Sequence, residues 1–117
     1  MPRADVTQMP FAKLYHLLVS KAEKKGRTRQ EVDHVTAWLT GYTSADLARL
    51  AQSDTSYGDF FRHAPAMNPN RAFITGKVCG VRVEEIQDPL MHQIRCLDKL
   101  VDELAKGRPM EKILRKP

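Results

Sequence analysis

The stretch "DPLMHQIRCLDKLVDELAKG", residues 88–107, carries the longest helical pattern in the sequence. Asp88 is suited to cap a helix, and Pro89 to take its first position, where the missing amide costs nothing. Apolar residues then recur at steps of four and three, at Leu90, Ile94, Leu97, Val101 and Leu104. This spacing predicts a helix that packs one face into a core and ends at Gly107.

Two further helices are predicted near the start of the chain. The first runs from Phe11 to Lys25 and stops at Gly26. Its apolar face consists of Phe11, Leu14, Tyr15, Leu18 and Ala22. The second begins at "TRQE", residues 28–31, because this sequence forms a capping box, and it ends at Gly41.

Shorter helical segments are predicted from the same kind of signal. "TSAD", residues 43–46, caps a third helix, and "SYGDFF", residues 56–61, favours one or two turns with buried aromatic rings. Asn68 before Pro69 marks another helical start. Pro109 begins a last turn that is held to the core by Met110, Ile113 and Leu114.

Residues 73–84 allow two interpretations. A helix would align Phe73, Ile74, Val78 and Val81, although Gly76 and Gly80 each cost about 1 kcal/mol relative to alanine. A hairpin turning at residues 76–77 also fits the β-branched residues. We favour a short helix through Cys79 followed by an extended segment that turns at Gly80, and the hairpin stays open.

The chain of 117 residues and 13.3 kDa fits one domain. We expect residues 1–10 to be a flexible lead-in and residues 11–117 to form a single helical domain. The predicted fold is mainly α, a compact bundle of about five to six helices with a hairpin or extended segment around 73–84. No apolar run is long enough to cross a bilayer, and the first residues lack a secretory pattern, so we expect a cytoplasmic protein.

Basic residues concentrate in two clusters, and the formal net charge is +5. The amino-terminal cluster consists of Lys21, Lys24, Lys25, Arg27 and Arg29. The carboxy-terminal cluster consists of Lys106, Arg108, Lys112, Arg115 and Lys116. If the clusters meet in space, they form a surface that can neutralise several phosphates. The same lysines also suit helix carboxyl ends without any ligand.

Helices from Thr28 to Leu50 also resemble a helix-turn-helix in their spacing. Its second helix, "SADLARLA", residues 44–51, offers one arginine and no asparagine, glutamine or lysine to contact base edges. Sequence-specific DNA recognition is therefore not expected. Contact with nucleic acid would be limited to its phosphates.

Chemistry-bearing side chains suggest two other kinds of site. Arg82 lies close in sequence to Cys79 and could lower its thiol pKa, which would suit a thiol-dependent enzyme or redox sensor. The competing interpretation is a small buried apolar residue. Asp88, His92 and Cys96 recur every four residues, but three ligands over more than two turns of one helix cannot converge on one metal ion. At most an adjacent pair such as His92 and Cys96 could bind metal with help from elsewhere, and we predict no metal or cofactor.

Two long stretches carry a family resemblance. They are "KAEKKGRTRQEVDHVTAWLTGY", residues 21–42, and "ITGKVCGVRVEEIQDPLMHQIRCLDKLVDELAKGRPMEKILRK", residues 74–116. Through them the chain resembles the bacterial family called domain of unknown function 2200. The resemblance implies no activity, cofactor or catalytic residue.

The function favoured by the sequence is therefore binding. We expect the domain to contact a protein partner, its own copy, or a polyanion such as nucleic acid through the basic clusters. The alternative, from a different class, is thiol chemistry at Cys79 near Arg82.

Overall fold

The computed structural model describes residues 6–78 and 80–115, and within them it places six α-helices and one two-stranded sheet. The helices are α1 (Phe11–Glu23), α2 (Arg29–Thr40), α3 (Ser44–Leu50), α4 (Tyr57–Arg62), α5 (Pro89–Ala105) and α6 (Met110–Ile113). The strands are β1 (Lys77–Val78) and β2 (Val81–Arg82). Short 3-10 turns cover Val6–Gln8, Pro69–Phe73 and Val83–Glu85. The prediction of a mainly α bundle with a short hairpin is confirmed.

Helix α5 forms the centre of the packing. It contacts α1, α2, α4, α6 and the hairpin. The buried residues that it contributes include Ile94, Leu97, Leu100, Val101 and Leu104. No helix among the described residues is long and apolar enough to cross a membrane. The expected cytoplasmic location stays a prediction.

Local capping explains where several helices begin. At the start of α2, the Thr28 hydroxyl accepts from the amide of Glu31 at 3.2 Å, and the Glu31 carboxylate accepts from the amide of Thr28 at 3.0 Å. The same reciprocal pair caps α3 through Thr43 and Asp46. Asp88 accepts from the amide of Met91 at 2.9 Å at the start of α5. These helix starts are confirmed because capping depends on residues within one turn.

An aromatic cluster joins α1 to α4. Its members are Phe11, Tyr15, Tyr57, Phe60 and Phe61, all nearly or fully buried. The rings of Phe11 and Phe60 stack with centroids 4.1 Å apart. The segment before α1 is also held here, because the amide of Tyr57 donates to the carbonyl of Met9, and the amide of Phe11 donates to the carbonyl of Thr55. The boundary at residue 10 stays a prediction.

The segment around the hairpin corrects one expectation. The helical start at Asn68 produces a 3-10 turn that ends at Phe73. Lys77 and Val78 are extended and pair antiparallel with Arg82 and Val81. The short helix through Cys79 is therefore wrong, and the hairpin alternative is right in type. Its turn follows Val78 instead of lying at residues 76–77, where Gly76 has φ of 104° and leads into β1.

Candidate polyanion-binding surface

The two basic clusters meet at the carboxyl end of α1. A guanidinium nitrogen of Arg27 donates to the backbone carbonyl of Arg108 at 3.0 Å. Asp102 lies between the clusters, with Lys21 at 3.2 Å from one carboxylate oxygen and Lys106 at 3.0 Å from the other. We call the surface formed by Lys21, Lys24, Lys25, Lys106 and Arg108 the joined basic surface.

Arg27 lies beneath this surface and holds it together. It donates to one carboxylate oxygen of Glu31 at 2.9 Å and 2.6 Å, and its side chain is only 16% exposed. Lys24 and Lys25 follow directly after α1 and are exposed, with no ion pair to any residue that the structure describes. They are therefore the cations of the amino-terminal cluster best placed to meet a ligand.

The carboxy-terminal cluster is arranged around a buried acid. Glu103 is 5% exposed. It receives two hydrogen bonds from Arg115, at 2.5 Å and 2.7 Å, and a third from Arg108 at 3.2 Å. The Arg115 side chain is itself only 11% exposed, so it serves the fold and is not presented to a ligand.

The remaining cations of the two clusters lie apart from these contacts. Arg29, in the first turn of α2, is half-exposed at 3.9 Å from Asp33 and lines a separate depression with Tyr15 and His16. Lys112 is exposed on α6. Lys116 lies outside the described residues.

The acids of the surface are held in their charged forms. Hydrogen bonds from Arg27 lower the pKa of Glu31 against a smaller opposing effect of burial. Partial burial raises the pKa of Asp102, but hydrogen bonds from Lys106 and Lys21 together outweigh it, so the net shift is downward. Because the single carboxylate of Asp102 pairs with both Lys21 and Lys106, positive charges outnumber negative charges on the joined basic surface.

The thiol alternative gains no support from the described residues. Cys79 lies outside them, and Arg82 is exposed at 3.9 Å from Glu84. Cys96 is fully buried, and burial raises the pKa of its thiol to about 12, so it is protonated at neutral pH. A thiol in that state is a poor nucleophile and a poor metal ligand.

Asp88, His92 and Cys96, which recur every four residues along α5, take part in two different sets of contacts. The ring of His92 lies 3.7 Å from the Cys96 sulfur, and burial lowers the pKa of the imidazole. Asp88 is engaged by the amide of Met91 as a cap. Among residues 6–78 and 80–115, no group of three or more histidine, cysteine or carboxylate side chains lies close enough together to hold a metal ion.

Comparison with known proteins identifies the family. The model of a family described as "Uncharacterized protein conserved in bacteria (DUF2200)" matches residues 5–115. The chain belongs to this family. It is similar to a chain of known structure, described as "Crystal structure of uncharacterized protein SP1917", with 50% identity and a TM-score of 0.91. The match covers 97% of this chain and 93% of that chain. The chain has no match among curated proteins.

Sequence reasoning missed the two acids that organise this DUF2200 surface. Asp102 and Glu103 lie inside α5, but the sequence pattern that predicts this helix consists of its apolar residues and says nothing about the two acids. Asp102 could have been found, because Lys106 follows it by four residues, the spacing of a helical ion pair. Glu103 could not, since its strongest partner, Arg115, is twelve residues away and lies beyond α6.

Proposed function

We propose that this domain is a cytoplasmic polyanion-binding module that contacts nucleic-acid phosphates through the joined basic surface. The observation that carries the proposal is the hydrogen bond from Arg27 to the carbonyl of Arg108, because it brings the two clusters into one surface. The cytoplasmic location rests on the sequence alone.

The charge balance supports attraction to phosphates. Lys24 and Lys25 are exposed without an ion pair among the described residues, and Lys21 and Lys106 share the single carboxylate of Asp102. A phosphate backbone that approaches this surface releases condensed counterions, which makes binding favourable and dependent on salt. The overall charge of +5 adds long-range attraction to the same ligand.

Backbone contact without base recognition fits the rest of the molecule. Arg49, the one arginine of α3, forms an ion pair with Asp46 at 2.8 Å. The helix has no asparagine, glutamine or lysine to contact base edges. The proposed binding therefore positions the protein on phosphates and carries no sequence preference.

The test is a titration of the full chain against labelled duplex and single-stranded DNA and RNA at two salt concentrations. The wild-type protein should bind at low salt and lose affinity steeply as salt rises. Lys24→Glu combined with Lys25→Glu should weaken binding by at least about tenfold, because two phosphate contacts become repulsive. The matched comparison is between the single variants Lys24→Glu and Lys13→Glu, which change the net charge equally. Lys13 is exposed at the opposite end of α1, and its variant should weaken binding far less.

Two results would overturn the proposal. One is an absence of binding at low salt, which would direct the search toward a protein partner or a second copy of the chain. The other is an equal loss of affinity in Lys13→Glu and Lys24→Glu, which would attribute the effect to net charge alone. Cys79→Ser should leave binding unchanged, whereas a thiol-based function would not survive it.

A further inference from the structure

The hairpin holds two cations directly opposite each other. In its register Lys77 faces Arg82, and Val78 faces Val81. The amide of Val83 donates to the carbonyl of Gly76 at 3.0 Å, which makes residues 76 and 83 a hydrogen-bonded pair. Because the two types of pair alternate along an antiparallel ladder, Lys77 and Arg82 form the non-hydrogen-bonded pair, whose side chains lie closer together.

Like charges at such a position destabilise a hairpin unless an anion lies between them. Both side chains are exposed, and Lys77 has no ion pair among the described residues. One carboxylate oxygen of Glu84 accepts from the amide of Gly76 at 3.0 Å, and the other lies 3.9 Å from a guanidinium nitrogen of Arg82. Arg82 therefore has one loose ion pair, and Lys77 has no carboxylate partner among the described residues.

A pocket of about 390 Å³ opens at the same place. It is lined by Lys77, Gly80, Val81, Arg82, Glu85 and Ile86. The ammonium of Lys99 donates to the carbonyl of Lys77 at 3.1 Å and adds a third positive charge nearby. Glu84 and Glu85 offset part of this charge, but the three cations outnumber the two acids.

We propose that this pocket binds a phosphate group of a small molecule, with Lys77 and Arg82 as its paired cationic ligands. The guanidinium of Arg82 supplies two parallel donors that match phosphate oxygens, and the ammonium of Lys77 supplies a point charge from the opposite strand. The residues that line this pocket are different from those of the joined basic surface, and the proposal does not depend on the function proposed for that surface.

The probe is inorganic phosphate, titrated into nitrogen-15-labelled full-length protein and followed through the amide resonances of Gly80, Val81 and Arg82. Sodium chloride at the same ionic strength is the reference. We expect saturable shifts with phosphate and none with chloride. Arg82→Gln should weaken the phosphate affinity by about tenfold or more, the loss expected when a charge-assisted hydrogen bond is removed. Lys77→Gln should act in the same direction.

Three controls make the result decisive. Lys112→Gln, an exposed lysine on α6, and the Lys24→Glu/Lys25→Glu pair should both keep the phosphate shifts. In buffer without phosphate, Lys77→Gln should unfold at the same temperature as the wild type or a higher one, because it relieves repulsion between like charges. Equal shifts with chloride, or unchanged phosphate affinity in both Lys77→Gln and Arg82→Gln, would show that the pocket binds an adventitious ion only and would overturn the proposal.

Discussion

Lys24 and Lys25 of the amino-terminal cluster lie in solvent, whereas Arg115 of the carboxy-terminal cluster lies against the buried carboxylate of Glu103. Both clusters look alike in the sequence, with five cations each near a helix end. The difference comes from where the acids lie. A cation paired with a buried acid is held in the fold, where loss of its partner is costly, and a cation without such an acid stays available to a ligand.

The substitution with the largest expected effect on stability is Glu103→Gln. Removing the charge leaves Arg115 nearly buried without its counter-ion, which should lower the free energy of unfolding by about 3 kcal/mol. Chemical denaturation measures the change. Glu111→Gln, at an exposed glutamate in the first turn of α6, is the matched control and should change stability by less than about 0.5 kcal/mol. Equal effects in the two variants would mean that the buried pair contributes nothing specific.

The next test addresses the contact that joins the clusters. Arg27→Ala removes the hydrogen bonds to Glu31 and to the carbonyl of Arg108, and should lower the free energy of unfolding by about 1–3 kcal/mol. It should also weaken nucleic-acid binding, because the two halves of the joined basic surface lose one of their links and keep only the contacts through Asp102. If affinity for DNA and RNA stays at the wild-type level, the surface does not need that link.

Acid titration gives a smaller effect with a defined sign. The pKa values of Glu31 and Asp102 are lower in the folded protein than in the unfolded chain. Their ionised forms therefore contribute stability above a pH of about 4, and this contribution is lost as the pH falls through the lower folded-state pKa values. Urea midpoints measured from pH 6 to pH 2 should fall less steeply for Glu31→Gln and Asp102→Asn than for the wild type. Parallel curves would contradict the assignment.

The smallest expected effect on stability is at the exposed lysines. Lys24→Gln and Lys25→Gln should each change the free energy of unfolding by less than about 0.5 kcal/mol, since neither removes an ion pair seen in the described residues. Their effect should appear in the salt dependence of DNA binding, where each lost phosphate contact reduces the slope by about 0.9. A large stability loss at either position would place these lysines with Arg115 as structural residues.

The features that the sequence predicts correctly depend on residues that lie within one or two helical turns of each other. The caps at Thr28, Thr43 and Asp88 were found because the donor and acceptor of each lie three residues apart. The buried face of α5 is predicted correctly because apolar residues at steps of three and four lie on one face of a helix.

What could not be predicted depends on distant contacts. Gly76 has a positive φ where the chain enters β1, and a Cβ at this position would lie 3.2 Å from the side chain of Lys99, which no residue adjacent in sequence indicates. The short helix through Cys79 was therefore the wrong choice between two locally similar patterns. The candidate surface was predicted only as a set of cations, because the role of Arg115 depends on Glu103 across the α5–α6 connection.

The central position of α5 also affects how the chain can fold during synthesis. This helix packs against α1, α2 and α4, yet it begins at residue 89 of 117. The helices made first have no completed core to join until the ribosome has released most of the last quarter of the chain. Since translation adds roughly 5–20 residues per second, their apolar faces stay uncovered for several seconds. A chain built this way completes its core only after α5 has left the ribosome, so chaperones that shield nascent helices have a clear period in which to act.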